Sequence, residues 1–145
     1  GRSRVPPFGV LSGEPRVRVR AAIAASGVCD LAREWPERLR AVFDELMGGT
    51  PADEAVRYAA SSPVALLPTM VPQLLIHGTA DTTVPIRFSE EYVATAQRAG
   101  DNARLVTVTG AEHAGVRDVT SPHWPTVKAA ILGFVSESLG VTLPA

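Results

Sequence analysis

Val71-Pro72-Gln73-Leu74-Leu75-Ile76-His77-Gly78-Thr79-Ala80-Asp81-Thr82-Thr83-Val84-Pro85 decides how this chain folds. The apolar run closes on His77-Gly78, and a turn-rich segment carrying Asp81 follows. A short apolar run bounded by turn residues suits a strand buried on both faces, as in a parallel sheet. A second run, Ala103 to Thr109, is β-branched at Val106, Thr107, Val108 and Thr109, which favours a strand. Gly110-Ala111-Glu112-His113-Ala114-Gly115 follows it, so His113 stands 32 residues after Asp81 (113 − 81). Each lies just past a predicted strand end.

Between these strands, residues from Pro85 onward place Phe88, Tyr92, Ala96 and Ala99 on one helical face, and Gly100 ends the helix. Upstream, Val17 to Val28 is a further strand: Arg16, Arg18 and Arg20 alternate with Val17 and Val19, Ala21 to Ala25 is apolar, and Ser26-Gly27 closes it. Residues 31–70 form a helical excursion placed to cover a site at the strand ends. Within it, Leu39, Val42, Phe43, Leu46 and Met47 make one apolar stripe on a helix from Pro36 to Met47. Gly48-Gly49 stops that helix. Thr50 is the expected N-cap of the next, with Pro51 in its first turn and Ser61-Ser62-Pro63 at its end. A final helix spans about Trp124 to Leu139, turning Trp124, Val127, Ile131, Phe134 and Val135 to the core. Residues 1–16 carry the Gly, Pro, Ser and Arg content of a loop. The alternation predicts an α/β fold: three mainly parallel strands with flanking helices.

The chain has 145 residues, the size of one domain, with 46% hydrophobic and 20% charged residues, so a packed core is expected. A net charge of −1 gives no electrostatic case for a nucleic acid or an anionic membrane as partner. No apolar run approaches the length of a membrane span. Cys29 is the only cysteine, so no internal disulfide forms. The sequence opens on Gly1 with no signal-like segment. That leans towards the cytoplasm but leaves the compartment undetermined.

In open α/β sheets, ligands bind beyond the carboxyl ends of the strands. Asp81 and His113 are both placed there, and adjacent parallel strands bring their loops together. A carboxylate orienting an imidazole is two thirds of a Ser-His-Asp constellation. The histidine would relay protons, and the aspartate would hold its tautomer and stabilise the imidazolium. The plainer reading of Asp81 is a turn aspartate capping the next helix; that of His113 is a surface loop histidine. Asp30 competes for the acid role because it too follows a strand. Glu112 adjoins His113, and neighbouring side chains point apart. His77 suits a structural role, bonding loop backbone at the strand end, and His123 a solvated place at a helix start. Ser12 and Ser26 precede glycines without an elbow context, and read as ordinary loop serines. Cys29 reads as a buried, inert thiol. Trp35, Phe43 and Met47 serve either as site cover or as helix core. The three histidines lack metal-ligand spacing, and no cofactor is implied.

The stretch from Pro72 to Pro85 resembles the acid-bearing segment of the α/β-hydrolase superfamily, in its prolyl-oligopeptidase-like and carboxylesterase/arylformamidase-like branches. Val84-Pro85, Ser89-Glu90 and Gly110-Ala111-Glu112-His113 match those branches. Ser26-Gly27-Val28-Cys29-Asp30-Leu31 and Ser121-Pro122-His123-Trp124-Pro125 are similar to the esterase-like one. The resemblance spans about residues 17–139 and places the triad acid at Asp81 and the triad histidine at His113. It implies that the whole chain, 1–145, is the C-terminal part of a single α/β-hydrolase domain. The implied reaction is hydrolysis of a carboxylic ester or amide through an acyl-enzyme; the alternatives are a prolyl-oligopeptidase-like serine peptidase or a non-catalytic fragment or binding module. The substrate would be a small ester, amide or peptide. No Gly-x-Ser-x-Gly occurs in these residues. The nucleophile and oxyanion-hole glycines are therefore expected upstream, in an N-terminal half that acts as partner to the 17–28 strand.

Overall fold

The computed structural model describes residues 18–33 and 35–143. The predicted 1–16 loop and Val17 lie outside them. Three strands form one sheet in the order β1-β2-β3: β1 is Ala22–Ala25, β2 Gln73–Gly78 and β3 Ala103–Val108. Both pairings are parallel; Ala25 sits opposite Ile76, and His77 opposite Thr107. Helices α1 (Glu37–Met47) and α2 (Ala55–Ser61) and a short 3-10 turn, Pro63–Leu66, fill the connection from β1 to β2. Helix α3 (Arg87–Arg98) connects β2 to β3, and α4 (Trp124–Leu139) ends the described fold. The α/β class, the parallel order and the flanking helices are as the sequence predicts.

Every residue of β2 is buried. Its side chains alternate between faces, as the strand period requires. Leu74 and Ile76 join Val108, Ala111, Val116, Val127 and Phe134 beneath α4. Leu75 joins Tyr92, Val93, Ala96 and Ala103 beneath α3. His77 shares the α3 face. A third cluster joins Trp35, Phe43, Met47 and Tyr58 of the excursion to Val84 and Phe88, so the excursion packs on the segment following Asp81. Gln73, at the other end of β2, bonds Thr69 Oγ1 (2.9 Å) and Asp101 Oδ2 (3.2 Å) and accepts from the Tyr92 hydroxyl (2.6 Å). No buried polar atom of this side chain is left without a partner, which is the condition for keeping glutamine in a core strand.

Three local expectations change. The first strand is four residues long, within the predicted 17–28 span, and has a neighbour on one side only among the described residues. The stripe on α1 is half used: Phe43 and Met47 are buried, whereas Val42 and Leu46 are 53% and 68% exposed. Only the side of the stripe turned to Trp35 and Tyr58 finds a surface to pack on. Thr50 caps a separate turn instead of α2. Its hydroxyl and amide bond Asp53 Oδ2 at 2.6 and 3.2 Å, and the chain leaves helical geometry at Glu54 (φ −119°, ψ 37°) before α2 begins. None of the described helices is long and apolar enough to cross a membrane.

Gly78 marks the closest approach of the two loops that leave β2 and β3. A Cβ added there would lie 2.1 Å from the Ala111 carbonyl oxygen, which itself accepts the Ala80 amide at 3.0 Å. Backbone on both sides leaves nothing flexible to yield. Gly78→Ala is expected to destabilise the chain by about 3 kcal/mol, the upper part of the overpacking range, read as a lowered denaturant midpoint at unchanged slope.

Candidate active site

The two loops are stitched together by their backbones. Thr79 N donates to Val108 O (3.0 Å), Gly110 N to Thr79 Oγ1 (2.9 Å), and Ala80 N to Ala111 O. Gly110 takes φ +75°, a left-handed turn that glycine adopts without strain. This fixes where Asp81 and His113 stand relative to each other.

The structure brings them together: His113 Nδ1 lies 2.8 Å from Asp81 Oδ2. The other carboxylate oxygen, Oδ1, accepts the Thr83 amide at 2.9 Å and the Val84 amide at 2.8 Å. Asp81 therefore does both things the sequence allows it: it closes the turn after β2 and it holds the imidazole. Burial pushes its pKa up. The Val84 amide, the His113 ring, the Ser26 hydroxyl and the Thr83 amide outweigh burial and hold the carboxyl below its ordinary value. The His113 side chain is 27% exposed, while that of Asp81 is fully covered. An ionised carboxylate only accepts hydrogen bonds, so His113 Nδ1 carries the proton. In the neutral ring Nε2 then presents a lone pair and, among the described residues, has no hydrogen-bond partner. That is the arrangement a general base requires.

His77 lies wholly buried beside them. Its Nε2 is 2.8 Å from Val84 O and 3.2 Å from Asp81 Oδ2, and its Nδ1 is 2.7 Å from Ser89 Oγ. The backbone contact follows from the sequence; the contacts with Asp81 and Ser89 do not, because helical and strand periodicities carry no information about which polar tips meet. Ser26 is also more than the loop serine its Ser-Gly context predicts. It is buried at the end of β1 with φ +49°, and Ser26 N bonds Ile76 O at 2.9 Å. Its Oγ makes no hydrogen bond of ordinary geometry, yet the hydroxyl stands close enough to Asp81 to favour the ionised carboxyl.

The other sequence candidates among the described residues make no hydrogen bond to Asp81 or His113. Asp30 Oδ1 accepts the Ala32 amide at 3.0 Å and closes its own turn. Cys29 is buried, and burial with the nearby Asp30 charge pushes its thiol up to about 11, an unreactive state. His123 is half-buried at the start of α4, where its carbonyl accepts the Thr126 and Val127 amides. Glu112 is exposed. Ser12 lies outside the described residues. Among the described residues no group of three or more His, Cys, Asp or Glu side chains is placed to hold a metal ion.

The prolyl oligopeptidase family model matches residues 13–142. The chain belongs to the prolyl oligopeptidase family. Solved structures of an esterase from the Planctomycetes species Thermogutta terrifontis share the fold. Its apo form is 27% identical over 87% of this chain and 44% of that chain, with a TM-score of 0.64. The propionate-bound form gives 23% over 97% and 51%, with a TM-score of 0.65. The form phosphonylated by sarin gives 23% over 87% and 46%, with a TM-score of 0.68. This member of the family thus spans about half the length of those esterase chains and carries part of an α/β-hydrolase sheet. No curated protein matches it.

Two outcomes follow from the carboxylate of this family member. Nitrogen chemical shifts of labelled histidine at pH 8 are expected to show His113 as the Nδ1–H tautomer. In Asp81→Asn, whose amide can donate to Nδ1, the Nε2–H form should replace it. The depressed Asp81 pKa also stabilises the fold. That contribution is fully present above the ordinary aspartate value, near about pH 4, and is lost as pH falls through the lower folded value. The stability difference between the native chain and Asp81→Asn, from urea melts, should therefore shrink as pH drops below that region. A difference that stays flat into strong acid would contradict it.

Proposed function

We propose that this chain supplies the acid and the histidine of a serine hydrolase acting on carboxylic esters or amides. The nucleophile would come from sequence N-terminal to residue 17. The observation that carries the reading is the 2.8 Å contact between Asp81 and His113 at the ends of adjacent parallel strands. Family membership and the fold shared with an esterase support it.

In this reading His113 Nε2 takes the serine proton as the hydroxyl attacks the acyl carbon, then delivers it to the leaving alcohol or amine. Water then enters by the same route, with His113 again as base, and releases the acid. Asp81 stays ionised and holds the ring. The oxyanion-hole donors would come, like the nucleophile, from the N-terminal half that the superfamily resemblance implies. The side of β1 that has no neighbouring strand among the described residues, with Ile23 40% exposed, is where the strand bearing the nucleophile would pair. A peptide substrate is the second reading, favoured by the family model.

The preceding coding sequence should contain Gly-x-Ser-x-Gly. A panel of short acyl esters, formyl amides and dipeptide amides should be hydrolysed by the polypeptide that includes it and left untouched by residues 1–145 alone. In that longer protein His113→Ala should lower kcat by about 10⁴-fold or more. Turnover that survives His113→Ala would sink the triad assignment. No turnover of any substrate by the longer protein would favour a binding module. Preference within the panel separates esterase from peptidase.

A further inference from the structure

Asp81 Oδ2 does not face one imidazole but two. His113 Nδ1 is 2.8 Å away and His77 Nε2 is 3.2 Å away. The two rings are differently placed: the His113 side chain reaches solvent, while those of His77 and Asp81 are fully covered. The His77 proton positions follow from its partners. Val84 O, 2.8 Å from Nε2, can only accept, so Nε2 carries a hydrogen. In the neutral ring Nδ1 then accepts, and Ser89 Oγ at 2.7 Å donates to it. Ser89 is buried in the first turn of α3, so the ring is clamped from the helix side.

This links the polar groups in series. The Val84 amide donates to Asp81 Oδ1, and the Val84 carbonyl accepts from His77 Nε2. The same Nε2 lies 3.2 Å from Asp81 Oδ2, but its hydrogen is directed at Val84 O. The Val84 backbone is thus held by the buried ring through its carbonyl and holds the carboxylate through its amide, while His113 bonds the other carboxylate oxygen.

We infer that His77 is a positioning residue: its Nε2–H, bonded to Val84 O and locked by Ser89, fixes the Val84 backbone whose amide holds Asp81, and so the carboxylate that orients His113. The inference deepens the proposed function and takes its catalytic meaning from it, but its geometric content stands separately. His77 touches no substrate. Its part resembles that of outer groups which aim a metal ligand or a catalytic side chain without reacting.

The test uses histidine-labelled chain and reads the His113 Nδ1–H proton, which the contact with Asp81 shields from water. The sequence holds three histidines, so assignment is direct. In His77→Phe the resonance should move upfield and exchange with water roughly tenfold faster, the factor for about one lost hydrogen bond. His77→Gln, which keeps a donor, should move it back towards the native position. Ser89→Ala unlocks the ring without removing it and should give a smaller change in the same direction; it decides the matter if His77→Phe fails to fold. Val93→Ala, a core truncation on α3 away from the pair, controls for destabilisation and should leave the resonance in place. Folded Ser89→Ala and His77→Gln proteins with native His113 resonances, alongside an unmoved or unfolded His77→Phe, would overturn the inference. If the longer protein proves inactive on every substrate while these shifts occur, the triad function fails and the positioning of Asp81 stands. If it is active and the shifts are absent, the reverse holds.

Discussion

A six-residue strand covered on both faces and paired on both edges holds the described structure together. Strand β2 has β1 on one side and β3 on the other, α4 beneath Leu74 and Ile76, and α3 beneath Leu75 and His77. A strand so enclosed has no freedom of register, since a slip by one residue would exchange His77 and Gln73 with leucine and isoleucine across the sheet. Its carboxyl end is therefore a fixed point. Gly78 ends it with room for no side chain against Ala111, and this lets the β3 loop cross close enough to deliver His113.

From that point the polar chemistry follows from saturation. Asp81 sits where burial opposes its charge, and the fold answers with two amides on one oxygen and two imidazoles near the other. A buried carboxylate is tolerated only when its acceptor sites are filled. The same filling that keeps Asp81 ionised also orients it. Stability and site geometry thus draw on the same contacts, and the side chain cannot be loosened for one without loss of the other.

The helical excursion serves this arrangement indirectly. Trp35 stacks edge-on to Phe88 at 4.5 Å and to Phe43 at 5.7 Å, and the cluster ends on Val84, three residues beyond the acid. Trp35 Nε1 bonds Asp30 O at 2.9 Å, tying the β1 exit into the same cluster. The segment whose amides hold Asp81 is thereby packed from outside the sheet. The aromatic residues of the excursion are core of its own, with the acid loop as one wall.

The sequence by itself determined the α/β class, the parallel order, and the bounds of α4 to the residue, because burial on both faces and helical periodicity are local signals. It also placed Asp81 and His113 at strand ends, since turn residues punctuate apolar runs. It overread the α1 stripe at Val42 and Leu46, and took Thr50 for the cap of α2, because periodicity tells what could be buried and not what surface is there to bury it. Only the tertiary structure decided that His77 and Ser26 surround the acid and that Ser89 clamps His77. These side chains come from the turn after β1, from β2 and from α3, up to 63 residues apart (89 − 26). Which polar tips meet across such distances depends on sheet register and helix docking, and neither is written in any window of sequence.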